Sequence, residues 1–182
     1  MKLKDVKVAQ ERAAAILKKA GIAITQREKS EMEVADFGLN DLAHYGIEVI
    51  IYENNDRYCA KELVMFPRQI CPEHRHPPVP GKDAGKRETF RCRWGEVYLY
   101  VKGEPTKKPK AIIPEGHEKY FTIWREIILR PGDQFTLPPG NLHWFQAGDE
   151  GAVLSEFSSM NTDEYDIWTN PKIKRIPKIE DC

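Results

Sequence analysis

The feature that most constrains the fold is a series of short β-prone runs that begins after Gly46. Turn residues separate these runs at intervals of roughly eight to twelve positions, which is the strand spacing of all-β domains. No helix-length segment lies between the runs, so the chain lacks the crossover helices that connect parallel strands. The pattern therefore predicts an all-β domain, an antiparallel barrel or jelly roll, over residues 46–160.

The individual strands are predicted from their β-branched and aromatic residues and from the turns between them. The turn Asn54-Asn55-Asp56 is expected to close one hairpin, and Gly95 is expected to close another. We expect about eight strands arranged as a meander. Most of the predicted strands cover residues 47–53, 58–66, 88–94, 96–103, 119–132, 134–148 and 152–158.

The segments on either side of the barrel are predicted to be extensions of a single domain, because 182 residues is the length of one domain. Residues 1–45 are expected to form a helical N-terminal extension. Apolar residues recur at helical spacing over residues 1–20, and a second helix is expected over residues 30–44. Residues 161–182, which include Pro177, are expected to form a tail laid over the barrel.

The loop at residues 103–118 is long and carries three prolines and three lysines. It is interpreted either as a solvated extension of a hairpin or as a lid or subunit contact. The sequence does not choose between these roles.

The composition excludes several classes of function. The 28 basic side chains are balanced by 28 acidic ones, which argues against a generic surface for nucleic acid or anionic membrane. No run approaches 18 consecutive apolar residues, and the first residues lack the apolar core of a signal peptide. We therefore expect a cytoplasmic protein with no nucleic-acid partner and no membrane partner.

Three histidines and one glutamate are candidates for a metal site. His74 and His76 are spaced i, i+2, which places both imidazoles on one face of a strand. Glu88 begins the next predicted strand, and His143 follows the turn at residues 138–141. In a barrel, three such strands can direct four ligands to one interior point. Three imidazoles and a carboxylate suit a divalent transition metal and leave coordination positions open for a substrate. The alternative is that two nearby strand histidines have a structural role.

The spacing of these residues resembles the two motifs of the cupin superfamily. In the first motif, the gap before the glutamate, usually three or four residues, is eleven residues here. Glu73 and Asp83 are therefore kept as alternative fourth ligands. The second motif is intact except that its usual final Asn is replaced by Ala147. The matched positions are His74, His76, Glu88 and Gly95 in the first motif, and Gly132, Pro138, Gly140 and His143 in the second.

Three longer segments resemble the bacterial D-lyxose isomerases, a cupin family of sugar isomerases. They are ICPEHRHPP at 70–78, RPGDQFTLPPGNLHWF at 130–145, and EFSSMNTDEYDIWTNPKIKR at 156–175. The likeness extends over most of the chain from about residue 36. The resemblance implies a manganese-dependent aldose–ketose isomerase that interconverts D-lyxose and D-xylulose, and often D-mannose and D-fructose. It also implies a homodimer.

Isomerising an aldose requires a base for the C2 proton and a group that moves the hydroxyl proton. Lys61 lies on an otherwise apolar strand face. The resemblance favours a role in the active site for a lysine upstream of the HxH motif. The alternative is that the amine of Lys61 reaches solvent. Glu156 lies in the middle of a strand, and alternation leaves open whether it faces inward. Asp163 and Asp166 follow this strand and are further candidates, or else turn or cap residues.

The substrate is predicted to be an unphosphorylated sugar, because the composition is neutral and a glycine-rich phosphate loop is absent. Four basic residues near the HxH motif keep a phosphosugar open: Arg75, Lys82, Lys86 and Arg87. Two other functions remain as alternatives, another metallo-cupin enzyme such as a phosphosugar isomerase or an iron dioxygenase, and a non-catalytic sugar-binding cupin. Arg175 in the tail is not included among the catalytic candidates.

Overall fold

The structure is a computed structural model that describes residues 1–81, 84–176 and 178–180. Lys82, Asp83 and Pro177, which enter the predictions above, lie outside the described residues. The helices are α1 (Leu3–Lys19) and α2 (Gln26–Glu31), and short 3₁₀ turns span Glu118–Tyr120 and Asp163–Tyr165. The strands are β1 (Glu33–Ala35), β2 (Ile47–Asn54), β3 (Cys59–Met65), β4 (Ile70–Arg75), β5 (Glu88–Val101), β6 (Arg125–Leu129), β7 (Gln134–Leu137), β8 (His143–Ser158) and β9 (Ile167–Trp168).

The strands form one antiparallel sheet that curls into a barrel, which confirms the all-β prediction. Along one path the strand order is β1-β2-β3-β8-β4-β9, and β5 pairs with β6, β7 and β8. The predicted meander is wrong, because β8 pairs with β3, β4 and β5 rather than with its neighbours in the chain. This central position of β8 brings distant parts of the sequence to one barrel interior.

The predicted hairpin at Gly95 is also wrong, because residues 88–101 form one continuous strand. Gly95 has a positive φ of 73° and sits at a register shift between β5 and β8. Gly151 bends β8 in the same way, with φ 94°, and an added Cβ there would lie 2.6 Å from the Met65 carbonyl oxygen. The two glycines therefore allow two long paired strands to bend where their backbones approach closely.

The N-terminal extension is helical only in part. Helix α1 confirms the helix predicted over residues 1–20, and it packs its apolar face on the outer side of the sheet against Ile50, Val64 and Val153. The helix predicted over residues 30–44 is wrong. A capping box between Thr25 and Glu28 starts α2 earlier, and β1 then pairs with β2. Phe37, with φ 55°, is incompatible with a right-handed helix.

Two segments cover other parts of the barrel. The loop at 103–118 packs on the barrel wall, where Gln146 hydrogen-bonds both the backbone NH and the carbonyl of Ile112. The C-terminal tail crosses the open end of the barrel, since β9 pairs with β4 and the Lys174 NH donates to the Phe37 carbonyl. Within the described residues, no helix is long and apolar enough to cross a membrane.

Candidate active site

The interior of the barrel contains a small cavity whose wall carries many charged side chains. Apolar side chains from β2, β3, β5 and β8 form its base, and Trp168 from the tail forms part of its side. No residue of the 103–118 loop lines it, although that loop is fully described, so the lid interpretation lacks a contact with this cavity. The polar lining residues are Lys61, His74, His76, Lys86, Glu88, Glu156, Asp163, Asp166 and Arg175.

Three of the predicted metal ligands are histidines that lie close together, and two of them, His74 and His76, line this cavity. His74 lies near the end of β4, His76 lies just beyond it, and His143 begins β8 directly opposite His74. One ring nitrogen from each lies within 4.8 Å of the others. The spacing of the HxH motif and the pairing of β4 with β8 therefore bring the three imidazoles together.

Hydrogen bonds of the Nδ1 atoms set the orientation of the His74 and His143 imidazoles. The Nδ1 of His74 lies 2.8 Å from the Pro72 carbonyl oxygen, and the Nδ1 of His143 lies 3.1 Å from that of Asn141. A carbonyl oxygen can only accept, so both Nδ1 atoms carry the proton and both Nε2 atoms present a lone pair. Burial lowers the pKa of His143 to about 4, which keeps this ring neutral.

Glu88 completes the group despite the long gap that precedes it. Its Oε1 atom lies 3.2 Å from Nε2 of His76 and 3.1 Å from Nε2 of His143. Burial would raise the pKa of Glu88, but the surrounding cationic groups, His76 foremost, hold it well below its usual range. The eleven-residue gap is therefore taken up by a loop that returns Glu88 to the histidines at the start of β5.

These residues fit a divalent cation. Within the described chain, Nε2 of His76 and Nε2 of His143 are buried without a well-formed hydrogen bond. Buried polar atoms nearly always have a partner. Two imidazole lone-pair positions beside a buried carboxylate are the donor set expected around a transition metal. Glu73, an alternative fourth ligand, is instead occupied by structural hydrogen bonds from Thr122 and Thr169.

A second charged group lies beside the histidines. Glu156 faces into the cavity, opposite Lys61 on the neighbouring strand. The Nζ atom of Lys61 lies 3.8 Å from Oε1 of Glu156 and 3.1 Å from Oδ2 of Asp163. The structure therefore resolves the inward-or-outward alternative for Glu156, and it places Lys61 in the cavity rather than in solvent.

The two tail aspartates face different partners. Asp163 lies between Lys61, Lys86 and Arg175, and although burial would raise its pKa, these cations hold the pKa well below its usual range. Asp166 contacts Nδ1 of His76, and burial raises the pKa of Asp166 to about 6. Both carboxylates flank the 3₁₀ turn at 163–165, and both line the cavity.

Comparison with known proteins assigns the family. The family model for D-lyxose isomerase matches residues 14–182, which is most of the chain. The chain belongs to the D-lyxose isomerase family. It is 66% identical over 174 residues to the D-lyxose ketol-isomerase of Thermofilum sp., covering 96% of each protein. It is 61% identical over 181 residues to the D-lyxose/D-mannose isomerase of Thermosediminibacter oceani, covering 100% of this chain and 99% of that protein. The resemblance based on the three sequence segments is confirmed.

Solved structures show the same fold at much lower identity. The L-ribose isomerase of Acinetobacter sp. DL28, solved in complex with L-ribose, superposes with a TM-score of 0.79 at 16% identity and covers 99% of this chain and 98% of that one. The L-ribose isomerase of Cellulomonas parahominis gives a TM-score of 0.78 at 14% identity with the same coverage. This member of the D-lyxose isomerase family therefore shares its barrel with other sugar isomerases.

Two cavity residues of this family member were missed as candidates from its sequence. Lys86 was considered only as a phosphate contact, yet its Nζ lies 2.6 Å from Oε1 of Glu156 and 3.3 Å from Oε2 of Glu88. Its i, i+2 spacing to Glu88 was an available signal. Arg175 is buried against Glu33 and Asp163, and only the return of the tail brings it there.

Proposed function

We propose that this protein is a metal-dependent aldose–ketose isomerase that interconverts D-lyxose and D-xylulose, and also D-mannose and D-fructose. The names of its relatives support the substrates, since identities of 58–66% extend over nearly the whole chain. The observation that carries the proposal is a buried three-histidine, one-glutamate group beside a further carboxylate, Glu156, that is ion-paired with two lysines. This combination provides what an enediol reaction needs.

The proposed ligands of a single divalent ion are His74, His76, Glu88 and His143. We propose Mn²⁺ as this ion, because the family resemblance implies manganese and the mixed nitrogen and oxygen donors accept it. When bound, the ion would polarise adjacent sugar oxygens and stabilise the negative charge of an enediolate.

The base is proposed to be Glu156. Glu88 faces the histidines and Asp166 contacts His76, so neither carboxylate is free for the sugar. Glu156 accepts the proton from C2 of the aldose and returns it to C1 of the enediol, while Lys61 moves the hydroxyl proton from O2 to O1, and the two transfers together yield the ketose. Lys61 donates to the sugar oxygens and stabilises their charge during the transfer. Asp163 binds a sugar hydroxyl.

An unphosphorylated sugar is favoured by the pairing of the cavity cations. The Nζ atoms of Lys61 and Lys86 and the guanidinium of Arg175 each lie within 3.4 Å of a carboxylate oxygen. Of the other candidates for a phosphate, Arg75 and Arg87 are exposed and do not line the cavity. A phosphate would therefore have to break existing ion pairs to find a charge partner among the described cavity residues.

We propose that the protein is a homodimer that works in the cytoplasm. Each subunit is proposed to be a single domain, in which residues 1–45 and 161–182 flank the barrel at 46–160. Two aromatic residues on the outer sheet face support self-association: Tyr58 is 49% exposed and Phe157 is 52% exposed. Phe157 lies on β8 opposite Ala60 of β3, and Tyr58 directly precedes β3. Sedimentation of the wild type should show a dimer, and Phe157→Glu should shift it toward the monomer if this face is the interface.

A turnover screen tests the proposed function. Purified protein, stripped of metal and reloaded with Mn²⁺, is incubated with D-lyxose, D-mannose and their phosphates, and ketose formation is measured alongside oxygen uptake. We expect the free sugars to be isomerised without oxygen consumption. Preference for a phosphorylated sugar, or oxygen uptake coupled to turnover, would contradict the proposal.

A further inference from the structure

His76 differs from the other two histidines in the group that orients its ring. The Nδ1 atoms of His74 and His143 each face a backbone carbonyl only two residues away in the chain. The Nδ1 of His76 instead contacts the carboxylate of Asp166, which lies 90 residues further along. The orientation of one proposed ligand thus depends on the C-terminal segment at 161–176.

We propose that Asp166 is a positioning residue for His76, and that the C-terminal segment is in this way part of the metal site. The inference rests on the proposed metal ligands. The Asp166 carboxylate accepts from the Nδ1–H of His76, which fixes the ring so that Nε2, the atom that would lose its proton to bind a cation, points toward Glu88 and His143. Such a carboxylate also increases the basicity of a histidine ligand.

The position of Asp166 is itself fixed by the residues that follow it. Immediately after it, β9 pairs with β4, with Trp168 opposite His74. The Trp168 ring also stacks on the His74 ring, with centroids 4.5 Å apart and planes 21° apart. Thr169 then donates its hydroxyl to the buried carboxylate of Glu73. The segment is therefore anchored beside two ligands, and Asp166 is held in register with His76.

This contact gives Asp166 a role different from that of a catalytic base. Its side chain is 3% exposed, and its Oδ1 atom is engaged by the imidazole. A catalytic residue must reach the sugar, whereas Asp166 acts through His76. Its replacement is therefore expected to affect metal binding directly, before any effect on turnover.

The test is to measure the dissociation constant for Mn²⁺ by isothermal titration calorimetry, for the wild type and three full-length variants. Asp166→Ala should bind Mn²⁺ about 10- to 100-fold more weakly. Asp166→Asn keeps an acceptor oxygen and is expected to lose less affinity than Asp166→Ala. Thr169→Val is the matched control for loosening of the segment, because it removes one hydrogen bond of the same segment without contacting a ligand, and it should lose less affinity than Asp166→Ala.

A second measurement distinguishes a change in the orientation of the His76 ring from a general loosening of the C-terminal segment. With Co²⁺ as the probe, the visible absorption spectrum of Asp166→Ala should differ from that of the wild type, while the spectrum of Thr169→Val should not. Wild-type affinity in Asp166→Ala would overturn the inference, and so would an equal loss in Thr169→Val. A wild type that binds metal but does not isomerise sugars would refute the proposed function alone. A wild type that binds no ion would refute the metal site and this inference together.

Discussion

Glu48 should make the stability of the protein depend on pH. It lies on β2, is completely buried, and neither carboxylate oxygen has a well-formed hydrogen bond within the described chain. Burial raises the pKa of Glu48 well above its usual value of 4.5, and the weaker opposing effects of Gln69 and Arg12 do not offset it. The folded state therefore retains a proton that the unfolded chain loses.

The sign and size of the effect follow from proton linkage. Below pH 4.5 the Glu48 carboxyl is protonated in both the folded and the unfolded state, so its ionisation does not lower the stability. As pH rises above 4.5, stability falls until the folded carboxyl ionises. Each pH unit above 4.5 over which the folded carboxyl stays neutral lowers the stability by roughly 1.36 kcal/mol. Glu48→Gln removes this penalty with a side chain of nearly the same shape.

The assay is urea unfolding of the wild type and Glu48→Gln between about pH 4.5 and pH 8. A chelator is present throughout, because metal binding would add a stabilisation of its own. The free energy of unfolding of Glu48→Gln, relative to that of the wild type, should rise with pH above 4.5, by roughly 1.36 kcal/mol for each unit over which the folded carboxyl stays neutral. Glu53→Gln, at an exposed position of the same strand, is the control and should show no such rise. A difference between Glu48→Gln and the wild type that does not change with pH would refute the reasoning.

The remaining predictions concern the cavity. His143→Ala should lose metal and isomerase activity together, and stoichiometric metal in the purified variant would exclude this ligand. Glu88→Gln should weaken metal binding, as measured by titration, whereas normal binding and turnover would place the fourth ligand elsewhere. Glu156→Gln should lower kcat by about two to four decades while metal binding is retained, as expected for loss of a general base. Wild-type turnover in heavy water should introduce deuterium at C1. Near-normal turnover of Glu156→Gln would make Asp163 the next candidate for the base.

The parts of the fold predicted correctly are those that depend on local signals. The apolar spacing of residues 1–20 predicted α1, and the run at 47–53 predicted β2, because each pattern is contained in its own segment. Gly95 was misinterpreted because a glycine with positive φ serves equally in a turn and in a bend. The bend is selected by the approach of Gly151, which is distant in sequence and adjacent in space.

In the site, too, local signals predicted some residues correctly, and contacts between distant parts of the chain determine the others. The histidines carry motif spacing, so their convergence was predicted without knowledge of the barrel's strand order. The roles of Lys86 and Arg175 depend on contacts with Glu156 and Asp163, and no local pattern encodes these contacts. The tail supplies Asp163, Asp166 and Arg175, so the cavity wall is complete only when the end of the chain has folded over the barrel.

The charges of the cavity connect these residues to the proposed metal. The cavity and its flanking ion pairs contain five carboxylates, Glu33, Glu88, Glu156, Asp163 and Asp166, and three permanent cations, Lys61, Lys86 and Arg175. Metal ligation requires neutral imidazoles, and with all three neutral two negative charges remain uncompensated. Burying unpaired charge is costly, so such a site must either take up protons or bind a cation. A single divalent ion among the histidines offsets this excess, while the lysines keep Glu156 ion-paired rather than bound to the metal. The buried lysines thus separate the carboxylate assigned to the metal from the carboxylate assigned to the sugar.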